Sequence, residues 1–312
     1  MRNSQTFPIQ PAGGPLLIVD GHCYAYRAFF GMGPLRSPDG RPTQAIYGFI
    51  RMLGRIRERL CPSHLLVAWD GGLAEERKAL LPEYKAHRAE MPADLRPQLD
   101  EIVNYLHAAR IASWMKEGWE ADDCIAATAG QAVEAGLAVV IASSDKDFMQ
   151  LAGEEVKLLV PQDKSEALWD AAQVRRKTGV EPGQIVDWLS LVGDAVDNIP
   201  GVRGVGPKTA ADLMRQFGSV DVLYRRLNEV KSDRLRAGLG EAEEQVRRNQ
   251  QLVRLKKDMR SDFSMEELAA RESNEEELRR LYAGWGFKNL LASLEETPPK
   301  TGDLFHEHTH AS

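Results

Sequence analysis

The sequence predicts an α/β core with a central, mostly parallel sheet flanked by helices, followed by an all-helical C-terminal region. In the first half of the chain, continuous apolar runs of strand length alternate with helical patterns. Such runs are typical of strands that are buried on both faces of a parallel sheet. From about Ala171 onward no run of this kind recurs, and helical patterns are separated by glycine turns.

Three apolar runs predict the central strands, namely Leu16 to Val19, Leu65 to Trp69 and Leu137 to Ala142. Between the first two runs, Thr43 to Leu60 carries apolar side chains at helical spacing, with most of its arginines off that stripe. This pattern indicates an amphipathic helix. A helix in this position is the connection that two parallel strands require.

A chain of 312 residues is long enough for two domains. We predict a core over 15–172, with a basic region at 74–96, and a helical region over 173–297. The ends, 1–14 and 298–312, are predicted to be tails. The composition, 43% hydrophobic and 28% charged, is typical of a soluble globular protein. Neither a signal peptide nor a membrane-spanning run is evident, which predicts a cytoplasmic protein without membrane contact.

Acidic residues follow each predicted strand. Asp20 ends the first and Asp70 follows the second, while Asp145 and Asp147 come just after the third. The carboxyl ends of parallel strands form one edge of a sheet, which is where ligands bind in open α/β folds. Two further motifs, GWEADD and GDAVDN, add five acids: Glu120, Asp122, Asp123, Asp194 and Asp197. Any one acid alone is explained more simply as a helix-start or turn residue, but nine together favour a site.

Nine carboxylates at one edge require cations, because like charges raise one another's pKa values and oppose folding. Oxygen donors without cysteine or histidine suit Mg²⁺ or Mn²⁺ rather than zinc. Two such ions about 4 Å apart are the recurring device for displacement at a phosphodiester. The net charge of −6 argues against a nucleic-acid partner, but without the nine acids it becomes +3.

A basic segment follows Asp70, and Pro82 and Pro92 interrupt any long helix there. Its basic and aromatic residues include Arg77, Lys78, Tyr84, Lys85 and Arg88. Because four glutamates balance these charges, an ordinary mixed-charge surface is the alternative interpretation. The position of the segment beside an acidic strand end favours phosphate binding.

The glycine-rich turn GVRGVGPKT does not match the nucleotide-binding pattern G-x-x-x-x-G-K-[ST], because Pro207 follows Gly206. A helical pattern precedes the turn, and another runs from Pro207 to Phe217, beginning with proline as helix starts favour. We therefore predict a hairpin between two helices whose backbone N–H groups bind duplex phosphates. The predicted DNA contacts in it are Gly201, Gly204, Gly206, Lys208 and Thr209.

Five motifs together resemble the 5′ nuclease domain of bacterial DNA polymerase I and its kin, the phage 5′ nucleases and flap endonucleases. They are VDG at 19–21, EYK at 83–85, EADD at 120–123, SDKD at 144–147 and GDAVDNIPGVRGVGPKTA at 193–210. The resemblance implies a PIN-like flap-nuclease core with a helix-hairpin-helix element at 195–218. It also implies a metal-dependent 5′ to 3′ exonuclease and structure-specific flap endonuclease on DNA, with activity on RNA–DNA hybrids.

The resemblance also assigns roles. A first metal ion would be held by Asp20, Asp70, Glu120, Asp122 and Asp123, and a second by Asp145, Asp147, Asp194 and Asp197. Lys85 and Arg88 would lie in a helical arch, residues 74–96, and contact the scissile phosphate as catalytic residues. Arg77 and Tyr84 would be further DNA contacts, and backbone carbonyls of the hairpin would hold K⁺.

Two positions depart from the family pattern. Val196 stands where the family has serine, and Trp69-Asp70-Gly71 replaces Phe-Asp-Ala, which we expect to loosen the chain after Asp70. Both motifs keep their acids, so we expect an active enzyme. Polymerase I continues far beyond this domain, so the chain resembles a stand-alone 5′ nuclease or a fragment, and we expect a monomer.

In the tail, Asp303-Leu304-Phe305 resembles the end of peptides that bind the sliding clamp, although a chance match in a polar tail is the simpler explanation. Two other functions stay open. A related PIN-like ribonuclease would share the acids but not the glycine hairpin. A non-catalytic DNA-binding module would have lost metal ligands, and none is missing.

Overall fold

A computed structural model describes residues 13–161, 167–257 and 263–295. Its sheet has six strands: β1 (Leu16–Asp20), β2 (His64–Ala68), β3 (Ala112–Trp114), β4 (Val139–Ala142), β5 (Val156–Leu159) and β6 (Leu168–Trp169). Their order across the sheet is β3-β2-β1-β4-β5-β6. All neighbours pair in parallel except β5 and β6, which are antiparallel. The predicted mostly parallel sheet is confirmed.

The three predicted strands are β1, β2 and β4, and they form the centre of the sheet. The three outer strands were not predicted. β3 has only three residues and β6 only two, and the residues at the start of β5 are only half-buried. Such short, partly exposed segments lack the continuous apolar run that marks a strand buried on both faces.

Helices cover both faces of the sheet. The core helices are α1 (Gly21–Gly31), α2 (Gln44–Leu60), α3 (Glu75–Leu80), α4 (Arg96–Ala108) and α5 (Ala121–Glu134). Successive residues of a strand point to opposite faces. In β1, Leu17 and Val19 pack in one hydrophobic core with α1, α2 and α4, while Leu16 and Ile18 pack in the other with α5. The amphipathic helix predicted from Thr43 to Leu60 is α2, and α3 ends before Pro82 as expected.

Every named element after β6 is helical, as predicted. These helices are α6 (Ala171–Thr178), α7 (Ile185–Val192), α8 (Pro207–Phe217), α9 (Val220–Arg225), α10 (Asp233–Glu241), α11 (Glu243–Val253), α12 (Met265–Leu268), α13 (Glu275–Trp285) and α14 (Lys288–Glu295). The glycine turn joins α7 to α8, which begins at Pro207 and ends at Phe217 as predicted.

Residues of α7, α8 and α11 share the hydrophobic core that contains Leu16, whereas α13 packs in the core on the opposite face of the sheet. The residues predicted as a clamp-binding segment, Asp303 to Phe305, lie outside the described part of the chain. In the part that is described, no helix combines the length and the apolar character that crossing a membrane needs.

Candidate active site

The sheet register brings the first strand-end acids to one edge. Val19 pairs with Ala142 and Asp20 with Ala68, so Asp20 lies level with the residues that lead into Asp70 and Asp145. Asp20 accepts hydrogen bonds from the backbone N–H of Cys23, at 3.0 Å, and from the Ser143 hydroxyl, at 2.7 Å. Burial raises its pKa to about 6 despite these bonds, and the charges of Asp70 and Asp145 add to the shift.

Hydrogen bonds hold both the side chain and the backbone of Asp70. Its carboxylate accepts from the N–H of Ala121 at 2.8 Å, and its own N–H donates to Nδ1 of His22 at 3.1 Å. The His22 ring packs edge-on against Trp69. Sequence reasoning missed His22 because a single histidine on a helix carries no pattern, although it follows directly after the VDG motif.

Three more acids have raised pKa values. The pKa of Asp122 and that of Asp147 are raised well above the usual value, first by burial and then by the charge of Asp145. Burial also raises the pKa of Asp145, whose carboxylate accepts from the N–H of Asp147 at 2.8 Å. Oδ1 of Asp147 is buried and has no hydrogen-bond partner among the described residues. The charges of Lys85 and Lys146 offset these shifts only in part, so the acids form a region with an excess of negative charge.

The last two acids come from a tight loop between α7 and α8. Asp194 and Ile199 exchange two backbone hydrogen bonds of 2.8 and 2.7 Å, which closes the loop. Both carboxylates are buried, and Asp194 pairs with Lys146 at 3.0 Å. The charges of Asp194 and Asp197 contribute to the raised pKa of Asp147, so the loop brings its acids to the same region.

Basic side chains from residues 74–96 enter this region. Nζ of Lys85 lies 2.5 Å from Glu120 and 3.8 Å from Asp197. Arg88 contacts Asp197 at 2.9 Å and Asp70 at 4.0 Å. Burial alone would raise the pKa of Glu120, but Lys85 and then Arg77 outweigh it and hold that pKa below its usual value. The two predicted catalytic residues therefore lie directly against the predicted metal ligands.

Arg77 and Asp123 form a separate buried pair. The guanidinium donates one bond of 2.9 Å to each carboxylate oxygen of Asp123 and lies 3.3 Å from Glu120. Arg77 is 4% exposed, and Tyr84 is also buried, with its hydroxyl 3.1 Å from Glu120. In this conformation neither predicted DNA contact reaches solvent. Asp123 binds Arg77 instead of facing the region of raised pKa values.

The predicted hairpin contacts divide into two kinds. At Gly201, an added Cβ would lie 2.1 Å from the Val192 carbonyl oxygen, so this glycine permits close packing of the chain on itself. Gly204 has φ +83° and, like Gly206 and Lys208, is exposed. Among the described residues no side chain caps the amino end of α8. That end can therefore accept an anion.

The two departures from the family pattern have local explanations. The Val196 side chain is 70% exposed, and its backbone N–H donates to Asp194 at 2.9 Å, so the bond to the acid does not need a hydroxyl. The expectation that Gly71 loosens the chain is wrong. An added Cβ there would lie 1.8 Å from the Lys116 carbonyl oxygen, and the Gly71 N–H donates to the Trp119 carbonyl oxygen at 2.9 Å.

Both halves of the chain match family models. Residues 15–179 match the 5′-3′ exonuclease N-terminal resolvase-like domain, and residues 180–276 match the 5′-3′ exonuclease C-terminal SAM fold. The chain belongs to the 5′-3′ exonuclease family. Known members of the 5′-3′ exonuclease family include a 5′-3′ exonuclease of Aquifex aeolicus that is 35% identical over 90% of this chain and 95% of its own length.

DNA polymerase I of Bacillus caldotenax is also 35% identical to this chain. The match covers 90% of this chain but only 32% of the polymerase. The chain thus spans about a third of the length of that relative. Among solved structures, the flap endonuclease of bacteriophage T5, in a pseudo-enzyme-product complex with DNA and metal ions, has a TM-score of 0.64 and 23% identity. The match covers 77% of this chain and 89% of that one, which shows a shared fold.

Proposed function

We propose that the protein hydrolyses DNA phosphodiesters at 5′ ends and 5′ flaps with two divalent metal ions, Mg²⁺ or Mn²⁺. The observation that carries this proposal is the gathering of buried acids at the carboxyl edge of the sheet. Four of them, Asp20, Asp122, Asp145 and Asp147, have pKa values raised first by burial and further by one another's charges. Bound cations stabilise buried carboxylates of this kind. The phage flap endonuclease with this fold was crystallised with DNA and metal ions, which supports the same chemistry here.

The donor set fits hard divalent ions, since it consists of carboxylate oxygens, one of which, Oδ1 of Asp147, is buried without a hydrogen-bond partner in the described residues. We assign one ion to Asp20, Asp70, Glu120 and Asp122, and the second to Asp145, Asp147, Asp194 and Asp197. Asp123 is left out because both of its oxygens accept hydrogen bonds from Arg77. Bound ions of this kind activate water and stabilise the leaving oxygen.

The chain's own residues supply binding and charge stabilisation. Lys85 and Arg88, which lie beside the acids, would donate to the scissile phosphate and offset the charge that develops on it. The exposed start of α8, with Gly206 and Lys208, would bind a duplex phosphate and so set the distance between the duplex and the cleaved bond. We also assign K⁺ to the backbone carbonyls of this hairpin.

The proposal is tested with a 5′-labelled flap DNA, incubated with the full chain in Mg²⁺, Mn²⁺ or EDTA. A single-stranded RNA of the same sequence separates the proposal from a related ribonuclease. We expect cleavage of the flap near its junction with either metal, none in EDTA, and slow or no cleavage of the RNA. Binding of the flap without cleavage in either metal would contradict the proposal and favour a DNA-binding module.

A further inference from the structure

Lys85 occupies an unusual position for a lysine. Its side chain is 1% exposed, and its backbone has φ +56°, in the left-handed region that non-glycine residues seldom adopt. The ammonium group lies 2.5 Å from Glu120 and 3.8 Å from Asp197. Glu120 is a proposed ligand of the first metal ion, and Asp197 is a proposed ligand of the second. Lysine is almost never buried to this extent unless it is paired. Its place in the site is therefore that of a counterion.

Two further hydrogen bonds hold the chain around Lys85 against the loop between α7 and α8 that carries Asp194 and Asp197. The backbone N–H of Lys85 donates to the carbonyl oxygen of Asp197 at 3.0 Å. The side-chain amide of Asn198 donates to the carbonyl oxygen of Glu83 at 2.8 Å. Arg88 adds its ion pair with Asp197. Residues 83–88, called here the docked segment, are thus held on the loop by backbone bonds as well as by charge.

In the described residues the acids are not gathered into a metal shell, and basic groups contact three of them. Throughout residues 13–161, 167–257 and 263–295, no three His, Cys, Asp or Glu side chains are grouped as a ready metal site. Glu120 instead contacts Lys85, Asp197 contacts Arg88, and Asp194 contacts Lys146. An ammonium group and a divalent ion cannot both neutralise the same carboxylate oxygens at full strength, because the two cations repel each other.

We propose that Lys85 is an internal counterion which competes with the divalent ion, so that metal binding displaces the docked segment from Asp197 and Asn198. The resting protein would be neutralised by its own lysine, and the segment would become free to contact DNA only when metal is present. This inference rests on the proposed metal site. It adds that metal binding and the position of the docked segment are coupled.

The first test measures Mn²⁺ binding to the full chain without DNA, by electron paramagnetic resonance of the free ion. Lys85→Met is compared with Lys78→Met, which removes an exposed charge from the neighbouring helix α3. We expect Lys85→Met to bind Mn²⁺ at least about tenfold more tightly than the wild type, and Lys78→Met to match the wild type. Equal or weaker binding by a folded Lys85→Met protein would overturn the inference.

The second test uses the wild-type chain and does not depend on that variant's folding. Trypsin cleavage after Lys85 and Arg88 is followed as Mg²⁺ is added, with cleavage after the exposed Lys78 as the internal reference. We expect Mg²⁺ to accelerate cleavage after Lys85 and Arg88 relative to cleavage after Lys78. In an Asn198→Ala variant, we expect cleavage after Lys85 and Arg88 to be accelerated without metal. Mg²⁺-independent rates would overturn the inference while leaving the proposed metal site standing. No Mn²⁺ binding by the wild type would refute the metal site itself.

Discussion

Arg77 and Asp123 form a fork of two hydrogen bonds, each 2.9 Å long, with both side chains buried. The pair joins α3 to α5, and Arg77 also donates to the carbonyl of Leu252 at 3.1 Å. The N–H of Lys256 donates to the same aspartate at 3.1 Å. One ion pair therefore connects the basic region, the core and the end of α11.

We predict that Asp123→Asn destabilises the protein without weakening its affinity for Mg²⁺. The substitution removes the carboxylate that forms both short hydrogen bonds with the buried Arg77 charge and leaves that charge beside Glu120, at 3.3 Å, which costs about 3 kcal/mol of the free energy of unfolding. Urea unfolding in EDTA measures this cost. As a control, Asp212→Asn removes an exposed pair with Arg215 and should cost less than about 1 kcal/mol. A loss of Mg²⁺ affinity at unchanged stability would mean that Asp123 is a metal ligand.

We predict that Gly71→Ala destabilises the fold, because its Cβ would lie 1.8 Å from the Lys116 carbonyl oxygen. Relieving this overlap costs at least about 2 kcal/mol of the free energy of unfolding. The control, Gly130→Ala in α5, meets nothing within 4 Å and should stabilise the helix by up to about 1 kcal/mol. A Gly71→Ala protein as stable as the wild type would show that this close packing is absent.

The raised pKa of Asp20 predicts a dependence of stability on pH. The folded protein keeps a proton on Asp20 up to about pH 6, whereas the unfolded chain releases it near pH 4. The contribution of Asp20 to the free energy of unfolding is therefore fully present below about pH 4. It falls by about 3 kcal/mol as the pH rises to about 6 in the absence of metal. In EDTA, Asp20→Asn should gain stability relative to the wild type between pH 4 and pH 8. A difference that does not vary with pH would contradict the assignment.

Lys208 at the exposed start of α8 is predicted to bind a duplex phosphate. Lys208→Gln should weaken binding of duplex DNA of any sequence and lower the slope of log affinity against log salt by about one. Filter binding or fluorescence anisotropy at several salt concentrations measures both quantities. Lys288→Gln is the control, because Lys288 is exposed on α14, whose Leu290 and Leu291 pack in the core on the opposite face of the sheet. Equal slopes for both variants would exclude Lys208 from the duplex contact.

The sequence predicted the centre of the sheet because β1, β2 and β4 are buried on both faces and so consist of continuous apolar residues. It also predicted that the acids at or just after the ends of β1, β2 and β4 lie at one edge, because the carboxyl ends of parallel strands share that edge. It did not predict that Asp123 faces Arg77 while Asp122 faces the acidic region. Both residues start the same helix, and only packing against residues 46 positions away decides between them.

The pairing of Lys146 with Asp194 and of Asn198 with Glu83 was not predicted for the same reason. These contacts join segments that are distant in the chain, and no local pattern marks them. The expectation about Gly71 failed because a flexible residue type was taken to mean a loose chain. In the structure the missing side chain instead allows a close contact with Lys116.

Asp145→Asn tests the central proposal most directly. The substitution removes one carboxylate charge from the middle of the acidic region, whereas the proposed duplex contact at the start of α8 is unchanged. Cleavage of a 5′-labelled flap in Mg²⁺ and binding of the same flap in Ca²⁺ are measured on the full chain. We predict that cleavage falls by at least about a thousandfold while flap affinity stays within about threefold of the wild type. Cleavage at the wild-type rate would contradict the proposal that these carboxylates form the catalytic metal site.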